Sequence, residues 1–225
     1  MNRPFMFRII GMFFLCMLLA ACQPVTYPEI LDSFSDTDTA QVCWRDICPG
    51  TTAREEALRL LTSYGDIAIT TQDAWHPVSP SVGWTWAIAG ETKKQSSLVG
   101  EFRNAVTDNT VSFLTINVDE LLTLAEVVNH FGEPSQVFAF QGGTHKCWLA
   151  LYLRYPEKGI FVGHAQPECR SENTLTLKSN LLVEGITLFA VNRIDELDPK
   201  LAASPSIYPY EAWPGWDAEI EIADW

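Results

Sequence analysis

Two segments of the chain carry the same helix signature, and this repetition constrains the fold more than any other feature. Thr52 with Glu55, and Thr123 with Glu126, have the Thr-x-x-Glu spacing of a capping box, in which a hydroxyl and a carboxylate satisfy two free amides at a helix N-terminus. Apolar residues at helical spacing follow each box, and each segment reaches a glycine that can end a helix. The two threonines lie 71 residues apart, which indicates an internal duplication.

Strand-like sequence follows both predicted helices. Each helix precedes about four runs rich in β-branched and aromatic residues, which turn residues separate. The runs after the first helix lie near 67–71, 83–89, 100–106 and 110–118. Those after the second lie near 136–140, 146–154, 159–165 and roughly 175–190, the last with a suggested break at Ser179-Asn180. Pairing outward from Glu157 predicts a hairpin that places Cys147 opposite Pro167. We therefore expect an α+β fold, a tandem repeat of one helix plus about four antiparallel strands, with the helices packed on one face of a curved antiparallel sheet. Repeat 1 takes residues 42–120, repeat 2 residues 121–192, and a C-terminal strap or tail residues 193–225.

The N-terminal residues predict export. Arg3 and Arg8 precede an apolar run over residues 9–21, which is shorter than the roughly 20 residues of a membrane-spanning helix and suits the core of a signal peptide. The sequence Leu19-Ala20-Ala21-Cys22 resembles a bacterial lipobox, which implies cleavage before Cys22 and lipidation of its thiol and amine. An ordinary signal peptide cut elsewhere and an uncleaved anchor are the alternatives. Residues 22–41 are polar and acidic, and we expect a flexible tether there.

The charge balance restricts the partners. The chain has 15 Lys and Arg against 28 Asp and Glu, a net charge of −13, so its surface repels phosphate backbones and nucleic acid is not expected as a partner. An anionic bilayer surface would repel the chain for the same reason. We therefore expect the chain to be anchored by its N-terminal acyl chains to the outer face of a cytoplasmic membrane, or to an outer membrane.

The cysteines predict disulfides. Of six cysteines, Cys16 leaves with the signal peptide and Cys22 carries lipid, which leaves four in an exported chain and three pairings among them. The hairpin and the short spacing favour Cys43–Cys48 and Cys147–Cys169. A zinc site is disfavoured because the Cys-x4-Cys spacing is wide and no histidine follows at ligand spacing.

No motif in the sequence indicates catalysis. His145 and His164 could approach each other across the hairpin, but a catalytic or metal pair would need a carboxylate to orient it. The chain has no Gly-x-Ser-x-Gly motif and no Asp-x-Asp-x-Asp-Gly calcium loop. We expect no catalytic residues, no metal and no cofactor.

The tryptophans are the remaining candidates for a binding site. Trp84, Trp86 and Trp148 lie on predicted strands, where core packing is the favoured interpretation over an exposed binding surface. Trp213 and Trp216 lie in the tail and are candidate binding residues. The alternative for this pair is a strap that covers a sheet edge.

These short motifs resemble known envelope proteins. Pro49-Gly50-Thr51-Thr52 before a helix, and Phe131-Gly132-Glu133-Pro134 after one, resemble lipoprotein domains of the SmpA/OmlA type. The tandem of helix-plus-four-strand units resembles the β-lactamase inhibitor protein architecture. The lipobox with these motifs resembles a family of secreted bacterial lipoproteins. The resemblance implies a fold and a non-catalytic, protein-binding role, and it implies no partner and no site residue.

Together these observations predict a monomeric, lipid-anchored binding protein that engages a protein partner of the cell envelope. A carbohydrate-binding accessory lipoprotein that uses exposed aromatic residues is the alternative from another class, and a hydrolase is third. Coplanar exposed aromatic rings would favour sugar, whereas converging histidines and carboxylates would favour an enzyme.

Overall fold

The computed structural model describes residues 28–37, 41–72, 81–86, 98–104, 109–142, 147–167, 172–191 and 210–224, and these residues are mostly β. Within these ranges the helices are α1 (Pro28–Asp32), α2 (Arg54–Ser63) and α3 (Leu124–Phe131). The strands are β1 (Phe34–Asp36), β2 (Val42–Trp44), β3 (Ile67–Gln72), β4 (Ser81–Trp86), β5 (Leu98–Asn104), β6 (Val111–Thr123), β7 (Gln136–Gly142), β8 (Trp148–Tyr155), β9 (Ile160–Gln166), β10 (Thr174–Thr176), β11 (Leu182–Phe189), β12 (Glu211–Ala212) and β13 (Glu219–Asp224).

One sheet contains every described strand except the β1–β2 hairpin. Its order is β10-β13-β7-β8-β9-β11-β6-β5-β4-β3, and β12 pairs with β7. The β6–β11 pair joins the two halves of the sheet, with Phe113 opposite Phe189 and Thr123 opposite Leu182. All pairs are antiparallel except β13 with β7. The C-terminal segment therefore completes one edge of the sheet.

Strand β8 shows how the two faces of the sheet differ. Its leucines, at positions 149, 151 and 153, point into the main core, and Trp148, Ala150 and Tyr152 alternate with them on the opposite face. The strand is therefore apolar on both sides. The two faces therefore have separate hydrophobic clusters.

The main core lies between the sheet and a layer made of the helices and the β1–β2 hairpin. Ile30 of α1, Leu61 of α2 and Phe131 of α3 are buried in it. Trp84 of β4 is fully buried and stacks on Trp44 of β2, with ring centroids 5.7 Å apart. Core packing, the favoured interpretation for the strand tryptophans, therefore holds for Trp84, while the side chain of Trp86 lies outside the described part of the structure.

The predicted α+β tandem of one helix plus about four strands is wrong. The described chain is a mostly β molecule built around a single large sheet, and its helices of 5, 10 and 8 residues are minor elements that cover part of one face. The run predicted over roughly 175–190, with a suggested break at Ser179-Asn180, is two strands on either side of that break, since β10 pairs with β13 at the sheet edge whereas β11 pairs with β9 and β6. The periodicity was correct locally but did not predict this long-range pairing.

The two capping boxes that suggested the duplication are not equivalent. At α3 the box is complete: the Thr123 hydroxyl accepts from the Glu126 amide at 3.3 Å, and the Glu126 carboxylate accepts from the Thr123 amide at 2.7 Å. Helix α2 instead begins after Ala53, which gives no side-chain cap. Thr52 accepts a hydrogen bond from the Cys48 amide at 2.8 Å, so it closes the disulfide loop rather than capping the helix.

Two further expectations need correction. The tether predicted over residues 22–41 is shorter, because Ile30 and Phe34 are buried in the main core and β1 pairs with β2. The β8–β9 hairpin is shifted by one residue from the predicted register, because Tyr155 pairs with Ile160 and leaves a four-residue turn. Gly159 takes a left-handed φ of 67° in that turn.

Cys43 and Cys48 form a disulfide with a Cα–Cα distance of 4.3 Å, which is the pairing that the sequence favoured. Cys147 is also disulfide-bonded. Its expected partner, Cys169, lies outside the described residues, so that pairing stays a prediction.

Candidate functional site

The face of the sheet opposite the helices carries a continuous layer of aromatic rings. From β6 to β9, the Phe113, Phe189 and Phe161 rings follow one another with centroids 5.9 and 5.4 Å apart. Tyr152 of β8 continues the row, 6.4 Å from Phe161 and 5.9 Å from Phe140 of β7. These five rings lie on five adjacent strands, so the layer crosses much of the sheet.

Arg154 lies at one end of this layer, between two rings. Its guanidinium carbon is 5.6 Å from the Phe161 centroid and 5.0 Å from the Tyr210 centroid, which is cation–π geometry. The same side chain is buried and donates to the Gln136 side-chain oxygen at 2.9 Å. The positive charge at this end of the aromatic face is therefore held inside the protein.

The other end of the aromatic face opens into a cavity of about 650 Å³. The cavity crosses four adjacent strands, from the start of β8 to the end of β6. Its lining residues are Asp119, Glu120, Trp148, Ala150, Tyr152, Ala165, Gln166, Pro167, Leu182 and Glu184. Aromatic and aliphatic side chains form its walls, and carboxylates lie at one side.

A break in β6 brings two of these carboxylates to the cavity. Asp119 and Glu120 have left-handed φ angles of 45° and 64°, which are uncommon for residues with a side chain. The register with β11 shifts at this point, because Val183 pairs with Leu122 but Gly185 pairs with Asn117. Such bulges re-aim side chains and often lie near functional sites. We therefore treat this break as part of the site.

Glycine allows Tyr152 to lie flat at the cavity. Tyr152 pairs with Gly163 of β9, and a Cβ atom built on Gly163 would lie 3.3 Å from Tyr152 Cε1. Gly163 also pairs with Gly185 of β11, so two neighbouring strands lack side chains beside the ring. Larger residues at either position would crowd the floor of the aromatic face.

The described lining of the cavity is negative and includes no basic side chain. Asp119, Glu120 and Glu184 are exposed, and none of them forms a salt bridge or side-chain hydrogen bond with another described residue. Lys and Arg do not occur among the lining residues. Across the described ranges, no group of three acidic, cysteine or histidine side chains is close enough to hold a metal ion.

Leu182 lies at the mouth of the cavity. Its exposed fraction is 39%, and it is the one large hydrophobic residue classed as exposed among those that the structure describes. An exposed leucine beside aromatic walls adds apolar contact area at the position where a ligand would enter.

The histidine pair considered from the sequence is not assembled in the described structure. His164 is buried on the core side of β9, and its Nδ1 atom lies 2.6 Å from the Leu182 carbonyl oxygen. His145 lies outside the described residues. His164 therefore faces away from the cavity and its carboxylates.

The predicted tail residues lie on the other side of the molecule from the cavity. Trp213 and Trp216 form an edge-to-face pair with centroids 5.1 Å apart, and both are partly buried against the main core. This packing favours the strap interpretation over the binding interpretation. The lipidation residue, Cys22, lies outside the described part of the chain.

Sequence reasoning favoured core packing for Trp148, which instead lines the cavity, and it did not find the rest of the site. Asp119 and Glu120 interrupt the alternating strand sequence from Phe113 to Leu122, and this adjacent acidic pair was the available signal. Glu184 and Leu182 became recognisable only through the pairing of β11 with β6, since Asp119 and Glu120 lie more than 60 positions earlier in the chain.

Comparisons of the chain with family models, with curated proteins and with solved structures each found no match. The site is therefore interpreted from its geometry. Among the described residues, no helix combines the length and the apolar character that crossing a membrane requires.

Proposed function

We propose that this protein is a lipid-anchored, extracytoplasmic binding lipoprotein without catalytic activity, and that it engages a protein partner of the cell envelope. The N-terminal sequence that ends at Cys22 supports the membrane attachment. The cavity on the aromatic face supports the binding role.

One observation carries the binding proposal: Trp148, Tyr152 and exposed Leu182 line the same cavity as three exposed carboxylates. Tryptophan and tyrosine dominate the energetics of many protein interfaces because each buries a large area with few rotatable bonds. The carboxylates give the same surface a charge that a partner can recognise. The described lining contains no serine, threonine, cysteine, lysine or histidine, so its carboxylates and Tyr152 are the described side chains there that could act as a nucleophile or a base.

The ring orientations favour a protein over a sugar. The Tyr152 ring lies within 10° of the Phe140 plane, whereas the Trp148 ring is inclined at 77° to it. Tyr152 and Trp148 are therefore steeply inclined to each other and do not form a flat stacking platform. Carbohydrate binding remains the second candidate because carboxylates beside aromatic rings can also hold sugar hydroxyls.

Membrane attachment is tested at the predicted modification site. Cys22→Ala should leave the precursor uncut or release the chain from the membrane fraction, because the acyl chains provide its anchor. Intact-mass analysis of the mature wild-type protein should show a lipidated Cys22. A mature protein with an unmodified Cys22 would refute the anchor.

Partner binding is tested by capture from detergent-solubilised membranes of the source cell. Trp148→Ala should lose a captured protein, because it removes one wall of the cavity. Trp216→Ala is the matched control, since it removes the same side chain from the tail and should retain that protein. The proposal fails if Trp216→Ala alone loses the partner. It also fails if capture is negative and a glycan array gives a signal that depends on Trp148, which would favour carbohydrate binding.

A further inference from the structure

We infer that the cavity binds an arginine side chain that the partner protein presents; this inference rests on the proposed function. Three features of the cavity lead to it: the charge of its described lining, its aromatic walls and the placement of its carboxylates on two adjacent strands. Each feature limits the chemistry of the occupant.

The charge of the cavity requires a cationic occupant. Asp119, Glu120 and Glu184 contribute three carboxylates from two adjacent strands, and no described basic side chain lines the cavity to balance them. An anionic or neutral occupant would leave these charges uncompensated as it displaced water from the cavity. A cation from the partner would pair with them as binding excludes water.

The aromatic walls distinguish an organic cation from a hydrated metal ion. Trp148 and Tyr152 both line the cavity, and aromatic rings attract guanidinium and ammonium groups. The described carboxylates do not gather closely enough to hold a metal ion. A side chain that is apolar along its stem and cationic at its tip matches walls of this kind.

Arginine fits this arrangement better than lysine. A guanidinium group is planar, stacks on aromatic rings and carries five N–H donors that point in several directions. Carboxylates that come separately from β6 and β11 can therefore accept from one guanidinium at different edges. The cavity volume of about 650 Å³ also leaves space for apolar neighbours of the arginine, which Leu182 can contact.

Fluorescence anisotropy tests the inference with the mature full-length protein in detergent micelles. The probes are two labelled nine-residue peptides that are identical except for a central arginine or a central citrulline, which has nearly the same shape but no charge. We expect the arginine peptide to bind at least about tenfold more tightly, because citrulline loses the charge-assisted hydrogen bonds.

The same titration with charge variants locates the site. Asp119→Asn with Glu120→Gln and Glu184→Gln should weaken the arginine peptide by about tenfold or more and leave the citrulline peptide unchanged. These substitutions suit the fold because the side chains are exposed and asparagine tolerates a left-handed φ. The matched control removes three exposed carboxylates away from the cavity and should keep the arginine preference: Glu55→Gln, Glu157→Gln and Glu219→Gln.

The arginine assignment is overturned if the two peptides bind with equal affinity or if neither of them binds. It is also overturned if the control variant loses as much affinity for the arginine peptide as the cavity variant. If Trp148→Ala still abolishes capture of the envelope protein in that case, the proposed function stands and only the occupant is wrong. If capture does not depend on Trp148, the proposed function itself fails.

Discussion

The buried side chain of Gln41 forms hydrogen bonds with backbone groups in two separate parts of the chain. Its amide nitrogen donates to the Phe189 carbonyl oxygen at 2.9 Å and to the Val42 carbonyl oxygen at 3.1 Å, and its oxygen accepts from the Val191 amide at 2.9 Å. With 8% of its surface exposed, water cannot easily replace these contacts. Gln41 thereby ties the end of β11 to the segment before β2.

Gln41→Ala should therefore lower the free energy of unfolding by about 1–3 kcal/mol, because it leaves buried backbone groups without their partner. Urea denaturation of the two proteins measures the difference. Gln166→Ala, at a partly exposed position in β9, is the control and should change stability by less than about 0.5 kcal/mol. Equal stabilities of Gln41→Ala and wild type would contradict this role.

The ion pair between Arg45 and Asp66 gives stability a dependence on pH. The two guanidinium nitrogens donate to the two carboxylate oxygens at 2.8 and 2.6 Å, and Arg45 also lies over the Trp44 and Tyr64 rings. The hydrogen bonds from Arg45 lower the pKa of Asp66 below its usual value of 3.8, against the opposing effect of partial burial. A carboxylate with a lowered pKa stabilises the fold above its unfolded pKa, and that contribution is lost as the pH falls through the folded pKa.

Asp66→Asn should consequently be less stable than wild type at neutral pH, by about 1 kcal/mol or less because 36% of the carboxylate side chain is exposed. The difference should shrink as both proteins are acidified below about pH 4. Urea denaturation at several pH values measures it. Asp217→Asn is the control, because its ion pair with Lys178 is largely exposed and should contribute almost nothing. A difference that persists unchanged at low pH would exclude this mechanism.

Among the helices, α3 has a complete capping box whereas α2 has no side-chain cap, so we expect a cap to contribute to stability at α3. Thr123→Ala should destabilise the protein by about 1 kcal/mol, because the Glu126 amide loses its acceptor at the start of a helix that is packed on the sheet. Thr62→Ala, on the exposed side of α2, should have an effect below about 0.5 kcal/mol. Thermal denaturation compares the two. A larger loss at Thr62 than at Thr123 would contradict this assignment.

Local pattern predicted many of the elements, but not their partners. The predicted runs at 67–71 and 136–140 correspond closely to β3 and β7, because period-two alternation and turn residues are visible in a short window. The sequence suggested the break at Ser179-Asn180 between β10 and β11, but their different pairing was not predictable in that way. It depends on β13, more than 40 residues later in the chain, which pairs with β10.

The capping box predicted for α2 shows that a local pattern does not reveal the tertiary partner of a side chain. Thr52 and Glu55 have the correct spacing, yet Thr52 is used by the loop that the Cys43–Cys48 disulfide closes. A threonine hydroxyl can accept a hydrogen bond from a backbone amide of a helix or of a turn, and the tertiary structure decides which amide lies within reach. The apparent duplication followed from reading both threonines as caps.

At the scale of the whole molecule, the two faces of one sheet have different roles. One face is closed by the helices and the β1–β2 hairpin, and the other carries the aromatic layer that ends in the acidic cavity. The aromatic residues and the excess of acidic residues are visible in the sequence, but the point in the fold at which they lie together is not. That point exists only because β6, β8, β9 and β11 are neighbours in the sheet.

We expect the partner protein to bind the cavity face of the sheet and not the helix face. Photo-crosslinking in source-cell membranes tests it with p-benzoyl-phenylalanine placed at Leu182, at the mouth of the cavity, or at Glu55, exposed on α2. We predict a discrete light-dependent adduct with an envelope protein from position 182, its loss when Trp148→Ala is added, and no such adduct from position 55. An adduct from position 55 with none from position 182 would contradict the account.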